Sequence, residues 1–251
     1  MSKVVILGSS NAIPDEQHEN THMAVSGNEN LILIDCVNNP ITRLRQAGLE
    51  FDDLTDIILT HFHPDHVSGV PTLLMDMWLM GRRRPIKIHG LSHTLDRIEK
   101  LMEFYDWVSW PNFFSVTFCR LPEEEMAVVI DNQEFRIYAS PVHHLVPTIG
   151  LRIEFLSNQK VLAYSCDTRP CSEVVRLAEG ADVLIHESAG DSIGHSSAQQ
   201  AGQIAQQAEV GSLYLIHYPT GDFDPRPLVE EASQTFNGPV KLAEDFMEIQ
   251  F

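Results

Sequence analysis

Apolar residues along this chain gather into short blocks, and the spacing within each block predicts its element. VVIL at 4–7 and LILID at 31–35 are unbroken apolar runs, the pattern of buried strands. Between them lies a polar loop rich in Asn, Glu and His. PITRLRQAGL, over 40–50, predicts a short helix with Pro at its start and Gly near its end. DIILT (56–60) is a strand, PTLLMDMWLMG a helix stopped by Gly81, and IKIHG (86–90) a strand. HTLDRIEKLMEFYDW (93–107) has helical apolar spacing. MAVVID, EFRIYASPV, IGLRIEF and KVLAYS supply strands between residues 126 and 165. CSEVVRLAEG then predicts a helix, ADVLIHE a strand, SSAQQAGQIAQQA a helix and SLYLIHY a final buried strand.

Each half thus runs from strands to helices. With no linker, charge run or short repeat between the halves, residues 1–251 are expected to form a single α/β domain, sheets inside and helices outside. Its length and its 43% of hydrophobic residues suffice for a large core. Charge narrows the partners: 17 Lys and Arg face 35 Asp and Glu, a formal −18. Such a field repels polyanions at long range and speaks against a general nucleic-acid-coating protein. The opening MSKVVILGSS is too short in apolar residues for a secretory leader, and no run approaches a membrane span, so a cytoplasmic location is expected. Cys36, Cys119, Cys166 and Cys171 show no CxxC spacing and are expected as free thiols.

The chemistry concentrates in THFHPDHVSG, which puts His61, His63, Asp65 and His66 at one strand end. Imidazoles crowded together pack poorly but bind metal well. Further candidates stand at the ends of later strands: His143 and His144, Asp167 in YSCDT, and His217 in LYLIHY. His with Asp suits zinc or a similar borderline cation rather than Ca or Mg. Seven ligands exceed one tetrahedral site, whereas two ions sharing a carboxylate would use them all.

The H-x-H-x-D-H run resembles the signature of the metallo-β-lactamase superfamily. GVPTLL from Gly69, HLVPTIG from His144, DTRPC from Asp167, ADVLIHES from Ala181 and GHSS from Gly194 are similar to its ribonuclease Z branch, in the same order and over nearly the whole chain. The resemblance implies an αββα sandwich, two mixed sheets packed face to face with helices outside. It implies two divalent ions, zinc by default with manganese or iron possible: His61, His63 and His144 on the first, Asp65, His66 and His217 on the second, Asp167 bridging. The implied catalytic set is Asp65, His195 and Glu187, with His195 giving a proton to the leaving oxygen and Glu187 orienting its ring. Asp35 is implied as a support of the metal loops, and a homodimer is common in the family.

The same comparison exposes departures. The family's Gly-, Pro- and Lys-rich arm, which clamps tRNA, would sit between GLRIEF and KVLAYS, where only LSNQ (156–159) stands. Val37 and Cys166 replace family glycines, and IHYPTGDF replaces the usual THFSxRY. The expected function is therefore a dinuclear phosphodiesterase working through a metal-bridging hydroxide on a small diester such as a cyclic nucleotide. The alternatives are tRNA 3′ processing, with RNA disfavoured as partner, and a non-phosphate ester hydrolase such as a lactonase or arylsulfatase. His18, His22, His89 and His93 are expected as surface or loop residues, His186 as a buried one facing away from the site, and Arg82, Arg83 and Arg84 as a solvated turn. The aromatic stretch from Phe104 to Phe114 is expected as core or interface.

Overall fold

The computed structural model describes residues 2–251. The chain opens with β1 (Lys3–Gly8), β2 (His22–Ser26) and β3 (Leu31–Ile34), and α1 (Pro40–Gln46) crosses to β4 (Leu54–Ile58). A one-turn helix α2 (Pro64–Val67) and α3 (Val70–Leu79) lead to β5 (Ile86–Leu91), and α4 (Ser92–Phe104) leads to β6 (Val116–Leu121). An antiparallel meander follows: β7 (Ala127–Asp131), β8 (Phe135–Val142), β9 (Thr148–Phe155) and β10 (Lys160–Tyr164). Then come α5 (Ser172–Ala178), β11 (Val183–Glu187), α6 (Ala198–Gln207), β12 (Leu213–Ile216), α7 (Arg226–Ser233), β13 (Val240–Leu242) and β14 (Glu248–Gln250).

Two mixed sheets result, ordered β14-β1-β2-β3-β4-β5-β6 and β13-β12-β11-β10-β9-β8-β7. Their inner faces share one apolar layer, in which Val4, Ile32 and Ile58 of the first sheet join Ile137, Leu151 and Ile185 of the second. Alternate residues of the same strands, such as Val5, Leu33 and Ile57, face outward beneath α1, α3 and α4. Ala163, Leu184 and Leu215 do the same beneath α5, α6 and α7. Burial on both faces is the physical reason for the unbroken apolar runs. The arrangement is the expected αββα sandwich.

Several expectations need correction. The polar loop between the first two runs contains β2, whose HMAVS is short and begins with a fully buried His. The edge strand β6 was hidden by its half-exposed pattern. SLYLIHY is not the last strand, because β13 adds to the second sheet and β14 crosses back to pair with β1. The helix expected over 93–107 ends at Phe104, and that over 40–50 ends at Gln46. The tight hairpin between β9 and β10 is as expected, with Lys160 directly opposite Phe155.

Strands β3, β4, β8, β10, β11 and β12 end on one edge of the sandwich. They are parallel or related through one antiparallel neighbour. Loops leaving the carboxyl ends of such strands are where an α/β fold builds its sites.

Candidate metal centre

At that edge the chain brings together all seven residues expected as ligands. The loop after β4 carries His61 and His63, and α2 adds Asp65 and His66. His144 follows β8, Asp167 follows β10 and His217 follows β12. His61 Nε2 lies 3.0 Å from His63 Nδ1, which lies 3.2 Å from His144 Nε2. Around Asp167 Oδ2 stand the Nε2 atoms of His217 at 3.2 Å, His66 at 3.5 Å, and His61 and His144 at 3.9 Å each. Asp65 Oδ2 is 3.6 Å from His66 Nε2. Four overlapping groups of converging ligand atoms result: His61 with His63 and His144, Asp65 with His66, Asp167 and His217, His61 with His66 and Cys166, and His144 with Asp167 and His195.

The nitrogens facing away from the cluster fix the rings of His66, His144, His217 and His61. His66 Nδ1 donates to Asp35 Oδ2 at 2.7 Å and His144 Nδ1 to the Gly194 carbonyl at 2.8 Å. His217 Nδ1 bonds Thr21 Oγ1 at 3.1 Å, and His61 Nδ1 bonds Thr60 Oγ1 at 3.1 Å. Thr60 in turn donates its hydroxyl to Asp35. A proton held on Nδ1 leaves Nε2 as a bare lone pair pointing inward, the arrangement that supports a bound metal. Thr21 and Thr60 were missed by the sequence reading; Thr60 at least abuts the His run, whereas nothing local marks Thr21.

The donor set fits divalent metal. Among the described residues, His66 Nε2 and Asp167 Oδ1 are buried without a hydrogen-bond partner. Lone pairs of adjacent imidazoles about 3 Å apart repel unless a cation lies between them. Burial opposes the charge on Asp167, yet His217 and His66 hold its pKa well below the carboxylate range. Backbone geometry at the strand ends is forced: Asp35, Cys166 and His217 sit at φ of 60°, 53° and 56°. Such left-handed residues other than glycine cluster where the surrounding structure over-determines them. The conformation at position 166 is one that favours glycine, and here Cys166 Sγ sits 3.6 Å from His61 Nδ1.

Beside the cluster, Glu187 ends β11 fully buried and accepts from His195 Nδ1 at 3.0 Å. The backbone N–H groups of Thr168, Ser196 and Ala189 donate to the same carboxylate. Burial pushes Glu187 up to about 7 against the pull of His195. The bond to Glu187 raises His195 above its ordinary value. With Nδ1 taken, Nε2 is left for the side of the cluster, and the His195 ring lies 4.9 Å from that of His144.

Other candidates settle differently. His143 and His144 both lie in the loop beyond β8, so strand alternation does not separate them; His143 is exposed and accepts from Arg169 at 3.1 Å. His186 is buried against the Glu187 carbonyl, as expected. His22 and His89 are not surface residues: His22 bonds the Asn20 carbonyl, and His89 pairs with Asp56 at 2.7 Å, all inside. Arg82 is not solvated but buried, donating to the carbonyls of Asp52, Leu54 and Pro85. In the aromatic stretch Trp110 stacks on Trp78 at 4.9 Å, while Phe104 and Val108 are exposed. No helix among the described residues is long and apolar enough to cross a membrane.

Comparison with known proteins agrees with this fold. A β-lactamase superfamily domain matches residues 30–218. A ribonuclease Z of Methanothermobacter thermautotrophicus is 27% identical over all of this chain and 97% of its own length. The metallo-β-lactamase fold protein YhfI from Bacillus subtilis superposes with a TM-score of 0.84 at 22% identity, covering 99% of this chain and 98% of its own. The short form of human tRNase Z does so with a TM-score of 0.81 at 25% identity, over 99% and 98%. The chain belongs to the metallo-β-lactamase superfamily and, with it, to the metal-dependent hydrolases.

Proposed function

We propose that residues 1–251 work as one dinuclear phosphodiesterase whose first-choice substrate is a small diester such as a cyclic nucleotide. In this reading His61, His63 and His144 hold one ion, Asp65, His66 and His217 a second, and Asp167 spans both. Zinc is the default for this donor set, with manganese or iron as alternatives. When bound, a pair of such ions activates water and neutralises charge on a phosphoryl group. Asp35, through His66 and Thr60, keeps two of the rings aimed inward.

His195 carries the reading. A hydrolase of unactivated diesters must protonate an alkoxide leaving group, and a His fixed by a buried carboxylate beside the cluster supplies that proton. Glu187 holds the ring by Nδ1 and favours the protonated form, so Nε2–H is the donating atom. Three backbone N–H groups keep Glu187 from rotating away.

The four-residue turn joining β9 and β10 supports a small substrate, because no clamp stands there to hold a folded RNA. Processing of tRNA 3′ ends is the second reading. It is favoured by the ribonuclease Z relatives, which align over nearly their whole length. The deciding experiment gives the zinc-loaded protein 3′,5′-cyclic mononucleotides and a precursor tRNA with a 3′ trailer in one buffer. Turnover of the cyclic diester with intact tRNA supports the first reading. Cleavage after the discriminator base supports the second, and activity on neither overturns both. Asp167→Ala should abolish turnover and lower metal content measured by atomic absorption; full turnover with one ion per chain would sink the two-metal assignment.

A further inference from the structure

A cleft of about 520 Å³ opens beside the cluster, bounded on one side by the loop after β8 and on the other by Ile193 and Gly194. That volume is within the range of small-molecule sites. Two of its walls touch the machinery: His144 is a cluster residue, and Gly194 accepts from His144 and precedes His195. The remaining lining divides by chemistry. Leu145 and Ile193 are 61% and 85% exposed, large apolar side chains left in water at the mouth of a polar site. Arg169 is the one arginine or lysine in the lining, among the described residues.

Arg169 is held rather than loose. Its backbone N–H donates to the His143 carbonyl at 2.9 Å, and its guanidinium donates to His143 Nδ1 at 3.1 Å. His143 Nε2 in turn lies 3.5 Å from Glu173. The carboxylate lies within ion-pair range of the ring, and the ring accepts from the guanidinium, leaving its other N–H groups unclaimed by that contact. Only Thr168 separates Arg169 from Asp167, so the held cation stands next to the cluster in a chain of strongly negative charge.

We propose that this cleft is the subsite for the substrate's non-reacting substituent. Arg169 binds a non-bridging phosphate oxygen, and Leu145 and Ile193 seat a flat ring, which makes an aryl or nucleoside ester the preferred class over an alkyl one. The proposal rests on the phosphodiesterase reading above and deepens it. Arg169 suits the task because its planar fork meets phosphate oxygens in pairs, which a lysine ammonium does not.

The test compares thymidine 5′-(p-nitrophenyl) phosphate with methyl p-nitrophenyl phosphate, which share a leaving group and differ in the substituent. The wild-type protein is expected to show a lower KM for the nucleoside ester. Arg169→Ala should raise KM for both esters by roughly 10- to 100-fold, the loss of a hydrogen bond to a charged group, with kcat and metal content little changed. Arg169→Lys should recover only part of that loss. Ile193→Asp should erase the advantage of the nucleoside over the methyl ester. Unchanged KM in Arg169→Ala, or loss of metal in that variant, would overturn the assignment and leave Arg169 a loop brace. Wild-type protein inert on both diesters but active on a carboxylic ester would instead remove the underlying phosphodiesterase reading, and the subsite with it.

Discussion

Single residues divide here into those that face the cluster and those that hold the ones that do. His195 belongs to the first kind by proposal. His195→Ala should lower kcat for an alkoxide-leaving diester by about 10²–10⁴-fold, the usual yield of general acid catalysis, with metal content unchanged. A fall in metal content would make His195 a ligand instead. Buried histidines away from the cluster have a different consequence. Burial presses His22 down to about 3 and His186 down to about 4, from an ordinary 6.5. Folded, both stay neutral; unfolded, both take up protons as the pH falls through 6.5. The unfolded state then binds more protons, so their contribution is complete above pH 6.5 and is lost as the pH drops toward about 4 for His186 and about 3 for His22. Melting temperatures measured across that interval should decline, and His186→Gln should flatten the decline. An unaltered slope would place the acid sensitivity elsewhere.

Elements matter through the loops they pin. Backbone bonds from Cys36 N to the His66 carbonyl and from Gly69 N to the Cys36 carbonyl, at 2.8 and 2.9 Å, stitch the loop after β3 to α2. Gly69 makes that approach feasible: a Cβ there would meet the Val37 backbone at 2.7 Å. Gly69→Ala should therefore destabilise the fold by about 1–3 kcal/mol and disturb His66 through the shared stitch. Urea unfolding together with metal titration tests both effects, and a variant with wild-type stability would show that the loop yields freely. This packing demand is also why a valine is tolerated at position 37, whose backbone rather than side chain faces Gly69. Elements with unbroken apolar runs, β1, β3, β4 and β12, were legible because both of their faces are covered. Strands β2, β6, β13 and β14 were not, because short or half-exposed strands carry a pattern that a loop can also show.

At the scale of the whole molecule, charge and closure dominate. The C-terminal segment ties the two sheets together: β14 pairs with β1 of the first, Phe251 stacks on Phe155 of the second at 4.1 Å, and Arg43 lies over the Phe246 ring while pairing with Asp245. The −18 charge predicts different salt responses for the two substrate classes. If the protein meets RNA without a basic patch, raising ionic strength screens the repulsion and kcat/KM on precursor tRNA should increase. Turnover of a cyclic mononucleotide, governed by contacts inside the cleft, should change far less. A steep fall of RNA cleavage with salt would instead reveal a local cationic surface acting on phosphates.

The sequence by itself pointed to the sandwich and to His61, His63, Asp65 and His66, because a dense His motif at a strand end and apolar runs of strand length are local signals; His144, Asp167 and His217 were legible only through the order of motifs along the chain. His195 and Glu187 were legible through the order of motifs rather than through any local pattern. Only the tertiary structure decided which nitrogen of each ring faces inward, since Asp35, Thr21 and the Gly194 carbonyl reach their partners from distant parts of the chain. It also decided that Arg82 is internal and that Arg169 stands in a cleft beside the cluster. A cation reads the same in a string whether it faces water, a carbonyl cage or a ligand; its neighbours in space, not in sequence, set which of these it does.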